Sequence, residues 1–157
     1  MKAIIVCASV SHGNTQRIAE VMGEVLQARV VHPQQVDAAE LATYDLVGFG
    51  SGIHNMDFYP ELRTLIASLA TPERSKAFVF ATSGFPEPPF RRYIHGLAGK
   101  LAQKGFDVVD TFACRGFDTW LPLRIVGGIR KGHPDDADLA AARAFAEGLR
   151  AKVETGS

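Results

Sequence analysis

The chain has 157 residues, 46% hydrophobic and 22% charged, which is enough for a packed core and ordinary for a soluble globular domain. No apolar run approaches the ~18 residues that cross a bilayer, and Met1-Lys2 followed by Ala3-Ile4-Ile5-Val6 lacks the length and cleavage site of a secretion signal, so a cytoplasmic protein is expected. Seventeen basic side chains balance seventeen acidic ones, which argues against nucleic acid as the main partner, although residues 1–75 hold five Lys/Arg against eight Asp/Glu.

In chain order, apolar β-branched runs occur at Ala3–Ala8, Ala28–His32 (weak), Asp45–Ser51, Lys76–Thr82 and Asp107–Cys114. Their near-continuous apolarity suits parallel strands covered on both faces. Between them lie stripes of helical period. Ile18, Val21, Met22, Val25 and Leu26 form the first, and Phe58, Leu62, Leu65, Ile66 and Leu69 the second. Phe90, Ile94, Leu97 and Leu101 form a third, stopped by Gly105. The segment Asp37–Ala42 matches a helix weakly and predicts a short or irregular crossover. A last helix starts after Pro134, with Asp135, Asp136 and Asp138 in its first turn, where the dipole favours anions. Its apolar side holds Leu139, Ala142, Ala146 and Leu149. There are no repeats or linkers, so residues 1–157 read as one domain. Strands alternating with helices give an α/β, doubly wound fold with helices on both faces. Ligands of such sheets bind beyond the carboxyl ends of the strands.

The loop after the first run reads Ser9-Val10-Ser11-His12-Gly13-Asn14-Thr15. Hydroxyls, an amide and a glycine at the start of a helix make an anion site, because the free N–H groups and the dipole point the same way. A Walker loop needs a lysine that is absent, and a dinucleotide loop needs GxGxxG, whereas this loop has one glycine. A low-molecular-weight tyrosine phosphatase would place arginine six residues after its cysteine, where Cys7 is followed by Gly13. A receiver domain needs aspartate where Ser51 stands. The reading without a ligand is a simple helix cap by Asn14 or Thr15. Cys7 and Cys114 fit neither a CxxC pair nor a zinc pattern and read as two buried thiols. No metal ligands are expected.

The segment closely resembles the phosphate loop of flavodoxins, whose Ser/Thr-x-Thr-Gly-x-Thr pattern appears as Ser11-His12-Gly13-Asn14-Thr15 behind Ser9, with His12 where many flavodoxins have threonine. The resemblance implies a five-stranded parallel sheet in the order 2-1-3-4-5 and flavin mononucleotide (FMN) as cofactor. It implies that Ser9, Ser11, His12, Gly13, Asn14 and Thr15 hold the phosphate. The loops Ser51-Gly52-Ile53-His54 and Thr82-Ser83-Gly84-Phe85 would then sandwich the ring, with Ser51 and Thr82–Ser83 near the ribityl chain. The Gly52 peptide would lie beside ring nitrogen N5 and tune the reduction potentials. The paired tryptophan and tyrosine that many flavodoxins stack on the ring are not evident; Phe85 is the stacking candidate, while Phe58 and Tyr59 read as part of the next helix. Trp120 lies outside these loops.

Residues 115–133 are long and non-periodic, with Arg115, Arg124, Arg130 and Lys131 against Asp118. Loops of this length are often functional. The stretch 115–131 is expected to dock redox partners with an acidic patch; packing over the sheet edge or a dimer interface are the alternatives. No acid–base or nucleophilic constellation is evident, and His54 is the one group near the ring able to move protons. The expected function is an electron carrier between a reductase and an acceptor enzyme. The alternatives are a small FMN-dependent oxidoreductase, such as a quinone reductase or a protoporphyrinogen-oxidase-like protein, and a flavin-free binding module.

Overall fold

The computed structural model describes residues 1–8, 14–54, 57–58, 60–69, 75–82, 87–114 and 136–155. The elements are β1 (Ala3–Ala8), α1 (Asn14–Leu26), β2 (Arg29–Val31), a 3-10 turn (Pro33–Gln35) and α2 (Ala38–Leu41). They continue with β3 (Leu46–His54), β4 (Asp57–Phe58), α3 (Pro60–Ala67), β5 (Lys76–Thr82), α4 (Glu87–Gln103), β6 (Asp107–Cys114) and α5 (Asp136–Thr155). The sheet runs β2-β1-β3-β5-β6, all parallel, with β4 pairing antiparallel to β3. With the two-residue β4 set aside, this is the doubly wound order 2-1-3-4-5 expected from the sequence.

All six residues of β1 are buried, because both faces of the sheet are covered and alternate side chains feed two separate cores. Ile4, Val6, Val47, Phe49 and Val79 pack with Leu62, Ile66, Leu97 and Leu101 on the α3/α4 side. Ile5, Cys7, Phe78 and Phe80 pack with Ile18, Met22, Ala142, Ala146 and Leu149 on the α1/α5 side. Each large aliphatic side chain buried this way contributes ~1.5–3 kcal/mol. Ile18, Met22 and Leu26 are therefore the buried face of α1, Leu62, Leu65 and Ile66 that of α3, and Ile94, Leu97 and Leu101 that of α4.

On the α1/α5 side, β3 contributes Leu46 at its start and then only glycines at 48 and 50. Gly48 and Gly50 pair in register with Phe78 and Phe80 of β5, and the two phenyl rings lie directly over the glycines. A Cβ at Gly48 would meet the Phe78 ring at 2.3 Å, and one at Gly50 would meet the Phe80 ring at 2.0 Å. Glycine is required at both positions because another strand's ring occupies the space of its side chain.

Helix ends follow local chemistry. At the end of α4, Gly105 has φ 98°. Phe106 N–H bonds to Leu101 O at 3.1 Å and Gly105 N–H to Ala102 O at 3.0 Å, the double closure of a helix that turns left-handed. After α1 the same φ sign falls on Gln27, at 54°, with Ala28 N–H bonded to Gly23 O at 2.9 Å. The weak crossover resolves into the 3-10 turn and the single turn of α2. Asp37 caps α2 by accepting the Glu40 N–H at 2.8 Å.

Three boundaries differ from the sequence reading. The third strand does not stop at Ser51 but runs to His54, because Ile53 and His54 pair back onto Phe58 and Asp57. Phe58 therefore belongs to a strand, not to the stripe of α3, which begins at Pro60; the proline ring suits a first helical turn, where no N–H partner is needed. Strand β2 is shorter than expected, Arg29–Val31.

Candidate functional site

Because β1, β3, β5 and β6 are parallel, their carboxyl ends line one edge of the sheet. The opposite, amino-terminal edge is closed by its own polar contacts. Asp45 accepts the Lys2 N–H at 2.7 Å, Ser75 Oγ donates to Tyr44 O at 3.4 Å, and Lys76 lies 3.4 Å from Asp107. The carboxyl edge carries small and hydroxyl-bearing residues instead. Ala8 pairs with Ser51, Ser51 with Ala81, and Gly52 with Thr82.

Among the described residues, three hydroxyls are buried there: Thr15 (4% exposed), Ser51 (0%) and Thr82 (5%). Thr15, in the first turn of α1, lies with its Oγ1 2.7 Å from Thr82 Oγ1 at the end of β5. Side chains two apart share a face of a strand, so Thr82 continues the Phe78–Phe80 series across from Gly52. This bond joins residues 67 positions apart and ties the start of α1 to the far side of the candidate ring site. Ser51 Oγ donates to Gly52 O at 2.6 Å, holding the orientation of that peptide.

The start of α1 is electrostatically distinct. Helices α2 and α3 carry Glu40 and Glu61 in their first turns, α4 opens with Glu87, and α5 opens with Asp136 and Asp138. Helix α1 has no acid in its first turn. The positive end of its dipole is therefore not offset by an acid of its own first turn. A buried hydroxyl, the free N–H groups of a helix start and neighbouring small residues fit a phosphomonoester.

Cys7 is buried on β1, and burial, helped by the nearby Glu20 carboxylate, pushes its thiol pKa up to about 12. It stays protonated at neutral pH and is no nucleophile, which agrees with the absence of a phosphatase-type arginine.

Of the residues singled out in the sequence, the structure brings Thr15, Ser51, Gly52 and Thr82 to one edge. The backbone of Asn14 opens α1, and Ile53 and His54 end β3. Ser9, Ser11, His12, Gly13, Ser83, Gly84 and Phe85 lie outside the described residues, as do Tyr59 and the 115–133 stretch. The hydroxyl bond between Thr15 and Thr82 was not legible beforehand. Each was named for a ligand contact, and nothing in a linear sequence pairs them.

A parallel sheet in the order β2-β1-β3-β5-β6, with small and hydroxyl-bearing residues at its carboxyl edge, defines a doubly wound α/β protein. The family model described as flavodoxin domain matches residues 4–116, and the chain belongs to the flavodoxin family. An uncharacterized protein of Methanocaldococcus jannaschii is 33% identical over 150 residues, covering 95% of this chain and 98% of that one. Among solved structures, oxidised flavodoxin 2 of Bacillus cereus superposes with a TM-score of 0.76 at 20% identity, covering 97% of this chain and 99% of the other. The rubredoxin oxygen:oxidoreductase of Desulfovibrio gigas matches with a TM-score of 0.75 at 17% identity, and there 98% of this chain covers 36% of the larger one. No helix among the described residues is long and apolar enough to cross a membrane.

Proposed function

We propose that this protein binds FMN at the carboxyl edge of its sheet and carries electrons from a reductase to an acceptor protein. The observation that carries the reading is the start of α1, which alone among the described α-helices has no acid in its first turn and which places the buried Thr15 hydroxyl beside the end of β5.

The phosphate would be held by Ser9, Ser11, His12, Gly13, Asn14 and Thr15, and the ring by residues 51–54 and 82–85. FMN, when bound, supplies the capacity to take up and release electrons one or two at a time; the protein supplies position and environment. Thr15 and Thr82 share one hydrogen bond, so one hydroxyl hydrogen of the pair stays available to a ligand acceptor. Ser51 fixes the Gly52 carbonyl and so sets which peptide atoms face the ring loop. Partners with an acidic patch would dock over 115–131, where four basic residues face one acid.

The test is a titration of the purified apo-protein with FMN, followed by absorbance and by quenching of flavin fluorescence. Saturable one-to-one binding supports the reading. Thr15→Val should weaken FMN by roughly 10–100-fold, the range of one hydrogen bond to a charged group, and riboflavin much less. No binding at high micromolar FMN would overturn it.

A further inference from the structure

The crossover from β2 to β3 spends its residues on a 3-10 turn and a four-residue helix, too little to fill the space beside α3. A groove of about 530 Å³ remains between them, within the ~300–1,000 Å³ range of sites that take up ligand groups. Its apolar lining includes Pro33, Val36, Pro60 and Leu65, with Val36 and Leu65 at the base, 8% and 7% exposed. Glu61 and Leu65 lie at i and i+4 on α3, and Ser68 just past its end, so the groove follows that helix for its ~12 Å. Among the described residues, its charged lining is Asp37 and Glu61, both acidic, with no lysine or arginine. The base across α2, Arg29, is occupied by Glu40 at 2.7 Å. Asp37 keeps one carboxylate oxygen beyond the one that caps α2.

We propose that this groove docks a protein partner through an aliphatic side chain flanked by lysine or arginine. The apolar base takes the aliphatic group, and Asp37 and Glu61 at the rim take the cations; an acidic or doubly polar segment would be rejected by the same carboxylates. The groove lies in the acidic half of the chain, where eight acids outnumber five bases. It is lined by buried Pro33, two residues past the end of β2, and by exposed Pro60, two residues past the end of β4. A partner seated there would lie against α2 and the start of α3. The docking itself stands on shape and charge; only its use in electron transfer rests on the function proposed above.

The test is amide NMR of the 15N-labelled full chain, titrated with the peptide Ac-Arg-Leu-Lys-NH2 and, separately, with Ac-Glu-Leu-Asp-NH2. The basic peptide should give saturable shifts at Val36, Ala38, Thr64 and Leu65, with a roughly millimolar Kd, as expected of so few contacts. Glu61→Lys, at a half-buried surface position, should weaken it on the order of tenfold, and added salt should do the same. Asp37 is left intact because it caps α2. Equal response to both peptides, shifts elsewhere only, or no shifts at all would overturn the proposal. So would unchanged affinity in a folded Glu61→Lys variant; Thr64→Arg, at an exposed lining position, supplies the same test if that variant does not fold. These readouts come from α2 and α3 and do not depend on flavin, so their failure is distinct from a failure to bind FMN.

Discussion

Gly50→Ala tests the glycine–phenyl arrangement under the candidate site. The new methyl would sit 2.0 to 2.3 Å from three atoms of the Phe80 ring, where ordinary contact begins at 3.4 Å, so something must move by more than 1 Å. The strand cannot yield easily, since β3 is paired on both sides, Gly50 with Cys7 of β1 and with Phe80 of β5. The ring cannot yield easily either. Phe80 is fully buried and stacks on Phe78 at 6.0 Å, which meets Phe145, itself 5.1 Å from Phe112. Overpacking of this kind costs about 1–3 kcal/mol, and the better strand conformation of alanine returns only ~0.5–1 kcal/mol. We expect a net loss of about 1–2 kcal/mol, or roughly 2–8 °C in Tm for a chain of this size. Thermal and urea unfolding would measure it. Phe80→Leu removes the ring that the methyl strikes, so the double variant should be less destabilised than the two single losses added together, by about 1 kcal/mol or more. Unchanged Tm in Gly50→Ala, or strict additivity in the double variant, would refute the reasoning.

Two further predictions concern the hydroxyls and the thiol of the same edge. Thr15→Val or Thr82→Val alone strips a buried hydroxyl of its partner and should cost about 1–3 kcal/mol, while the double variant should recover part of that because neither hydroxyl remains; urea unfolding of the four proteins settles it, and additive losses would argue against the bond. The Cys7 thiol, at 9.0 when unperturbed, is pushed up to about 12 in the folded chain. A group that holds its proton more tightly when folded favours the folded state in full below the lower of these values. That contribution fades as the pH rises from about 9 towards about 12. Stability of Cys7→Ala relative to the parent should therefore improve over that window, and Cys7 should resist iodoacetamide at pH 8 until the chain unfolds; rapid alkylation of the native protein would contradict its burial.

Local features carried much of the fold. Runs such as Ala3–Ala8 and Lys76–Thr82 are strands as read, since β-branched and apolar residues bounded by polar turns need no distant partner to declare themselves. The stripe Ile94, Leu97, Leu101 and the stop at Gly105 likewise come from periodicity and one permitted φ. The proposal of an anion site at the start of α1 rests on a few consecutive residues, Ser9 to Thr15. Tertiary structure decided what depends on residues far apart. Ser51 looked like a strand end, yet β3 continues to His54 because Asp57 and Phe58 fold back on it. Gly48 and Gly50 are explained by Phe78 and Phe80, thirty positions away. Thr15 and Thr82 meet only because α1 crosses the sheet towards the end of β5. The groove beside α3 exists because α2 is a single turn, and whether such a turn leaves a gap is determined by the elements around it. Propensity and period are properties of neighbouring residues, whereas register, packing volume and hydroxyl pairing arise only when the sheet brings distant segments into contact.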